Sequence, residues 1–297
     1  MSDSLEAANY CSLINSADHY KHEGAGLDLL LIKSPACQAV IALQGAHVME
    51  FQAMDKEPIL WLSPKAVFEE GRAIRGGIPI CAPWFNQHPD DDTKPKHGFL
   101  RHSLWSLKSY TETDEQQEIV LEYNTTKDDL KLYPHDFTAR LTLRLSSKLE
   151  LILEFENRSA EPMPLTWAFH SYFAVTDVNK CSVEGLEGSL YIDTRNGRAV
   201  PSYQKSTFVI DAEVDRVYES IGSSQIIRDK KHTIQIRARR APSVVVWNPG
   251  PIHAEKMSDV GAGNHQGFVC LERGSIWKDA TSVEAGSTLK ASLHLSN

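Results

Sequence analysis

The stretch RAIRGGIPICAPWFNQHPDDDTKPKHGFLRHSLW, residues 72–105, gathers more side chains able to do chemistry than any other part of the chain. Arg75 stands directly before Gly76-Gly77, a pair that lets backbone approach a ligand where a Cβ would block it. Pro83-Trp84-Phe85 puts two large aromatics beside a turn, and Lys96, His97, Gly98 and Arg101 close the segment. A guanidinium offers a planar fork of donors that matches phosphate or carboxylate, and an aromatic face such as Trp84 can cover a sugar ring. The pattern points to a small, polar, anionic ligand, although Trp84 suits a core position as well as a ligand stack.

Two more segments end apolar runs on an ionisable group. PLTWAFHSYF, residues 164–173, sets His170 among aromatics, and FVCLE, residues 268–272, finishes on Glu272. Taken singly, His170 also fits a core histidine bonded to backbone, and Glu272 a solvated strand end. A metal is the rival reading for His88, His97 and His102 beside Asp90–Asp92. The chain has no H-E-x-x-H and no paired-cysteine spacing, so zinc is not expected. GAGNHQG, residues 261–267, has the wrong glycine spacing for a dinucleotide loop and reads as a turn. No G-x-S-x-G elbow supports acyl chemistry.

The elements that must position these groups read as β almost throughout. In TARLTLRLSSKLELILEFEN, residues 138–157, Leu141, Leu143 and Leu145 alternate with Arg140, Thr142 and Arg144, and a second set runs Leu149, Leu151, Leu153, Phe155. Both leucine sets can face one core only if the connecting loop has an odd count. That places Arg144 opposite Glu150 and Arg140 opposite Glu154, a charged ladder worth about 0.2–1 kcal/mol per pair. Further strands are expected at 27–32, 38–43, 104–110, 117–123, 207–211, 232–238, 243–247, 267–272 and 289–295, with one helical turn at 128–132. No 12-residue window carries a helical stripe, and no linker or charge block marks a boundary. One large antiparallel sandwich spanning residues 1–297, with its core from about residue 27, is therefore expected.

Composition narrows the partners. The net charge of −8 argues against nucleic acid, whose binding rests on basic surfaces. No run approaches 18 apolar residues, so no membrane span is expected. The N-terminal twenty residues lack a positive region followed by an apolar one, so no secretory leader is expected. Five scattered cysteines without a C-x-x-C suit reduced thiols in the cytoplasm.

The ordered set IRGGIPICAPWF, KPKHGFLR, LTWAFHSYF, DRVY, VVWNPGP and FVCLE resembles the glucose-6-phosphate 1-epimerase (hexose-6-phosphate mutarotase) branch of the aldose 1-epimerase family, from about residue 30 onward. The resemblance implies an all-β galactose-mutarotase-like supersandwich, no cofactor, and anomer interconversion of hexose 6-phosphates; a monomer is expected. It implies His170 as general acid, Glu272 as general base, Arg75 and Arg101 on the phosphate, and Asp215 on sugar hydroxyls. His97, Lys96 and Trp84 complete the candidate substrate-binding set. Two residues depart from the family pattern: Lys96, where Gln or a small residue is common, and Arg273, where a small residue follows the base.

Ring opening needs a proton delivered to the ring oxygen while another leaves the anomeric hydroxyl, which a charged imidazole and an ionised carboxylate can do together. Two alternatives stay open at this point. One is a 1-epimerase for unphosphorylated sugars, which would not need the arginine pair; the other is a sugar-binding sandwich without catalysis.

Overall fold

The computed structural model describes residues 5, 8–195, 201–210 and 212–297. Its two largest sheets are antiparallel and pack face to face. One runs in the order Phe208–Val209, Ser182–Glu184, Ser224–Arg228, Thr233–Arg239, Thr288–Ser296, Leu149–Asn157, Phe137–Leu145, Gln117–Asn124, Ser106–Glu112. The other runs Pro201–Tyr203, Leu190–Asp193, Val214–Tyr218, Ser243–Asn248, Phe268–Ser275, Trp167–Phe169, Ile80–Cys81, with Tyr172–Ala174 also on Phe268–Ser275. A four-stranded sheet of Cys11–Asn15, Asp28–Lys33, Cys37–Ala42 and His47–Ala53 flanks them.

The first sheet owes its register to the leucine alternation. Leu141 faces Leu153, Leu143 faces Leu151 and Leu145 faces Leu149 across a three-residue loop, which puts Arg140 opposite Glu154 and Arg144 opposite Glu150. The solvent-face ladder differs from the expected one in its partners. Arg144 does reach Glu150 at 3.4 Å, but also Glu118 at 2.7 Å. Arg140 turns the other way, to Glu122 at 2.7 Å, and Glu154 takes Lys290. Each strand has two neighbours, and the long side chains choose the carboxylate with the better geometry rather than the one within their own hairpin.

The inner faces of the two sheets share one core. Leu143, Leu151 and Leu293 from the first meet Trp167, Val246 and Leu271 from the second, and Phe155 touches Trp167 at 6.2 Å between ring centroids. The other expected strands lie within a residue or two of their observed bounds, except that 267–272 runs on to Ser275; the helical turn appears as Asp129–Leu132, and residue 211 of the 207–211 expectation lies outside the described residues. Two short helices, Ser16–Tyr20 and Gly250–Lys256, were not anticipated, being too brief to leave a stripe. Among the described residues no helix is long and apolar enough to cross a membrane.

Candidate active site

Alternation along the strands of the second sheet sorts their side chains between core and cavity. On Phe268–Ser275, Val269 and Leu271 join the main core, while Phe268 and Cys270 pack on the opposite face. Glu272 follows Cys270 by two and lines a cavity of about 200 Å³ on that face. Val245 and Trp247 on the next strand, and Asp215 and Val217 on the one beyond, line it too. Arg273 lies on the core face, where its guanidinium donates to Gly222 O at 3.1 Å and Gln225 Oε1 at 2.8 Å. The departure at Arg273 therefore stays on the far side of the sheet from Glu272.

His170 falls between two short strands that both pair with Phe268–Ser275. Phe169 is across from Arg273 and Tyr172 from Cys270, so the register continued between them puts His170 across from Glu272. Their Nε2 and Oε1 are 3.3 Å apart, with His170 7% and Glu272 2% exposed. Burial pushes the His170 imidazole well below its usual pKa, helped by the charges of Arg75 and Arg101. Burial likewise pushes the Glu272 carboxyl well above its usual range, helped by Asp215. The sequence reading had both groups charged. In this setting each is drawn to its neutral form, because the loss of hydration outweighs what two opposite charges recover. One proton moved across the 3.3 Å gap turns the neutral pair into the ion pair, so either way the pair holds one acid and one base.

The segment 72–105 supplies the cationic wall. Arg75, Lys96, His97 and Arg101 all line the cavity. Arg75 donates from Nε to Asp259 at 3.0 Å and from Nη1 to the Tyr172 hydroxyl at 2.7 Å, with Nη2 also 2.9 Å from Asp259. Among the described residues, one N–H on each terminal nitrogen has no partner and is open to a ligand. Arg101 is held by donation to Lys96 O at 2.7 Å and His102 Nε2 at 3.3 Å. His97 Nδ1 accepts from the Asn86 N–H at 3.0 Å, which selects the tautomer bearing its proton on Nε2. Burial and the Arg101 charge hold this imidazole neutral, so His97 is a donor rather than an acid.

Two expectations change. Gly76 and Gly77 do not bring backbone to a ligand. A Cβ on Gly76 would lie 2.5 Å from Trp61 O, and one on Gly77 2.3 Å from Val48 O, at φ of 116° and 61°. The pair lets the arginine-bearing segment press against neighbouring strands. Trp84 does not line the cavity: it is 4% exposed, donates to Pro95 O at 3.0 Å and packs in the main core. A bulky apolar ring in an aromatic-rich turn gains more from core packing than from waiting for a ligand.

Sequence reasoning missed Thr194, Met257 and Trp277 in the lining, and Asp259 behind Arg75. They come from turns with no pattern of their own. It also missed that Cys270 completes a buried trio in which one ligand-capable atom each from His170, Cys270 and Glu272 lie within 4.8 Å of one another. His88, His97 and His102 form no such group among the described residues.

Over residues 28–296 the sequence matches the family model for aldose 1-epimerase. It is 34% identical over 248 residues to a protein of Salmonella typhimurium provisionally named glucose-6-phosphate 1-epimerase, spanning 83% of this chain and 82% of that one. A protein of the same provisional name from Cenchrus ciliaris is 33% identical over 269 residues, spanning 86% of this chain and 81% of that one. The crystal structure of a provisionally named mutarotase from Salmonella typhimurium superposes with a TM-score of 0.88 at 29% identity, covering 98% of this chain and 94% of that one.

Proposed function

The chain belongs to the aldose 1-epimerase family, and on that premise we propose that it interconverts the α and β anomers of hexose 6-phosphates, glucose 6-phosphate foremost. The observation that carries this reading is the sharing of one small cavity by the His170–Glu272 pair and by Arg75 and Arg101. A volume of about 200 Å³ lies below the roughly 300–1,000 Å³ of drug-sized sites, so the ligand is small.

In the ion-pair form, with the pair's proton on His170, the ionised Glu272 takes the proton of the anomeric hydroxyl while the imidazolium gives one to the ring oxygen; the C1–O5 bond breaks and C1 becomes an aldehyde. Rotation about C1–C2 turns the other carbonyl face to O5. Closing reverses both transfers and returns each group to its starting state. The free N–H groups of Arg75 and Arg101 hold the 6-phosphate at the far end, so remote binding orients C1 against the pair. His97, a fixed neutral donor, and Asp215, an acceptor two strands along from Glu272, hold ring hydroxyls. Glu272 Oε2, buried and without a protein partner among the described residues, finds one on the sugar. The chain works as one catalytic unit, and five buried free thiols suit a reducing cytoplasm.

Saturation-transfer NMR between the two anomers, run side by side on glucose 6-phosphate and glucose against an enzyme-free blank, tests the reading. Exchange well above blank, with the phosphorylated sugar favoured, is the expected result. Faster exchange on free glucose would shift the assignment to an unphosphorylated aldose, and exchange on neither would leave a binding protein.

A further inference from the structure

Trp277 lies on the wall of the cavity that holds His170 and Glu272, yet it is 41% exposed, the most exposed of the six tryptophans. Its ring pairs with no other aromatic among the described residues. Its backbone sits at φ 50°, in the left-handed region that a bulky side chain rarely enters. Asn86 at 66° and His97 at 68° are also in the lining, so left-handed non-glycine backbone recurs around this one cavity. Such conformations persist where surrounding contacts enforce them, and they gather at ligand clamps.

The contacts that enforce this one are explicit. Ile276 before it is buried against Val217 and Val245. Lys278 N–H donates to Glu219 Oε1 at 3.0 Å. Asp279 accepts from Ser220 N–H at 2.8 Å, Ser220 Oγ at 3.1 Å and Ser243 Oγ at 2.8 Å. Exposure of the indole is therefore built in and not a result of a loose turn.

We propose that Trp277 is a substrate-binding platform whose indole covers one face of the pyranose ring while the acid–base pair works at C1. The proposal rests on the sugar-substrate reading above and adds a recognition element for the ring itself. The C–H groups of a pyranose form an apolar, electropositive face that complements the negative face of an indole. Because the platform reads the ring and not the phosphate, it serves glucose and glucose 6-phosphate alike.

The test compares wild type, Trp277→Ala and Trp277→Phe by anomer exchange on both sugars, with intrinsic fluorescence during titration with glucose 6-phosphate. Trp277→Ala should raise KM about five- to tenfold for both sugars and leave kcat within about twofold, and Trp277→Phe should restore KM to within about twofold. Wild-type emission should shift to the blue as sugar covers the exposed indole, and Trp277→Phe should lose most of that shift. A folded Trp277→Ala protein with wild-type KM would overturn the platform, as would a full shift in Trp277→Phe or a KM change confined to the phosphorylated sugar. Wild type that neither binds nor anomerises either sugar would overturn the substrate reading first and the platform with it.

Discussion

The ring of Tyr172 lies parallel to that of His170, with centroids 4.9 Å apart and planes 11° from coincidence. The same phenol accepts the Arg75 hydrogen bond at 2.7 Å, so one side chain backs the imidazole and braces the guanidinium. Burial keeps its hydroxyl protonated, far above the usual phenol range. The two ends of the proposed substrate are thus held by groups that touch a common support.

Replacement of Arg75 or Arg101 by Ala should weaken binding of glucose 6-phosphate by about 1.5–3 kcal/mol and leave free glucose almost unaffected. Arg75→Ala should be the worse of the two, since it also strands Asp259 and the Tyr172 hydroxyl. KM values for both sugars check this; normal handling of the phosphorylated sugar by both variants would place the phosphate elsewhere.

His170→Asn and Glu272→Gln should each fold and bind sugar but lose about 10²–10⁴-fold in turnover. The double variant should lose little more than either single one, because ring opening needs both transfers in one event. Single and double variants compared by exchange rates above the spontaneous blank give the answer. Near-normal exchange by folded Glu272→Gln would make Asp215 the next candidate base.

Dialysis against a strong chelator should leave the rate unchanged, because both proton transfers are assigned to side chains. Activity lost on dialysis and restored by zinc would move the chemistry to the His170, Cys270 and Glu272 trio.

Stability should fall as the pH drops from about 6.5 toward about 4. Burial lowers the pKa of His47 and of His102 to about 4 each, and lowers His97 and His170 as well. The unfolded chain takes up protons at these imidazoles near pH 6.5 while the fold does not, so the stabilisation is full above that pH and lost below it. Glu272 and Asp215, whose pKa values burial raises, oppose the trend. For His47, fully buried with Nε2 2.7 Å from Gly76 O, the full effect is about 3 kcal/mol. Denaturant midpoints at pH 7 and pH 5 should differ in wild type and differ less in His47→Gln; equal drops in both would contradict the assignment.

Period-two alternation made the hairpin at 138–157 legible to the residue, because a half-buried strand repeats a rule that periodicity can detect. The candidate site was legible in its two most chemical segments, and the register that sets His170 against Glu272 was latent in the apolar runs 164–173 and 268–272. What escaped lay in turns. Trp277 and the Asn86 N–H that fixes His97 are brought to the cavity, and Asp259 to Arg75 behind it, by long-range closure of the chain, which leaves no periodic trace. The charge state of the pair escaped for a related reason: burial depth belongs to the assembled sandwich and not to any single residue.

Glu272 and Arg273 are neighbours in the chain and occupy opposite faces of one sheet. A slip of the Phe268–Ser275 strand by a single position would exchange them, sending a guanidinium into the cavity of the proposed site and an unpaired carboxylate into the oily interior. A misaligned strand would therefore forfeit both activity and stability at once. Engineers should expect insertions to be tolerated in the exposed loops of this scaffold and to be lethal anywhere within that strand.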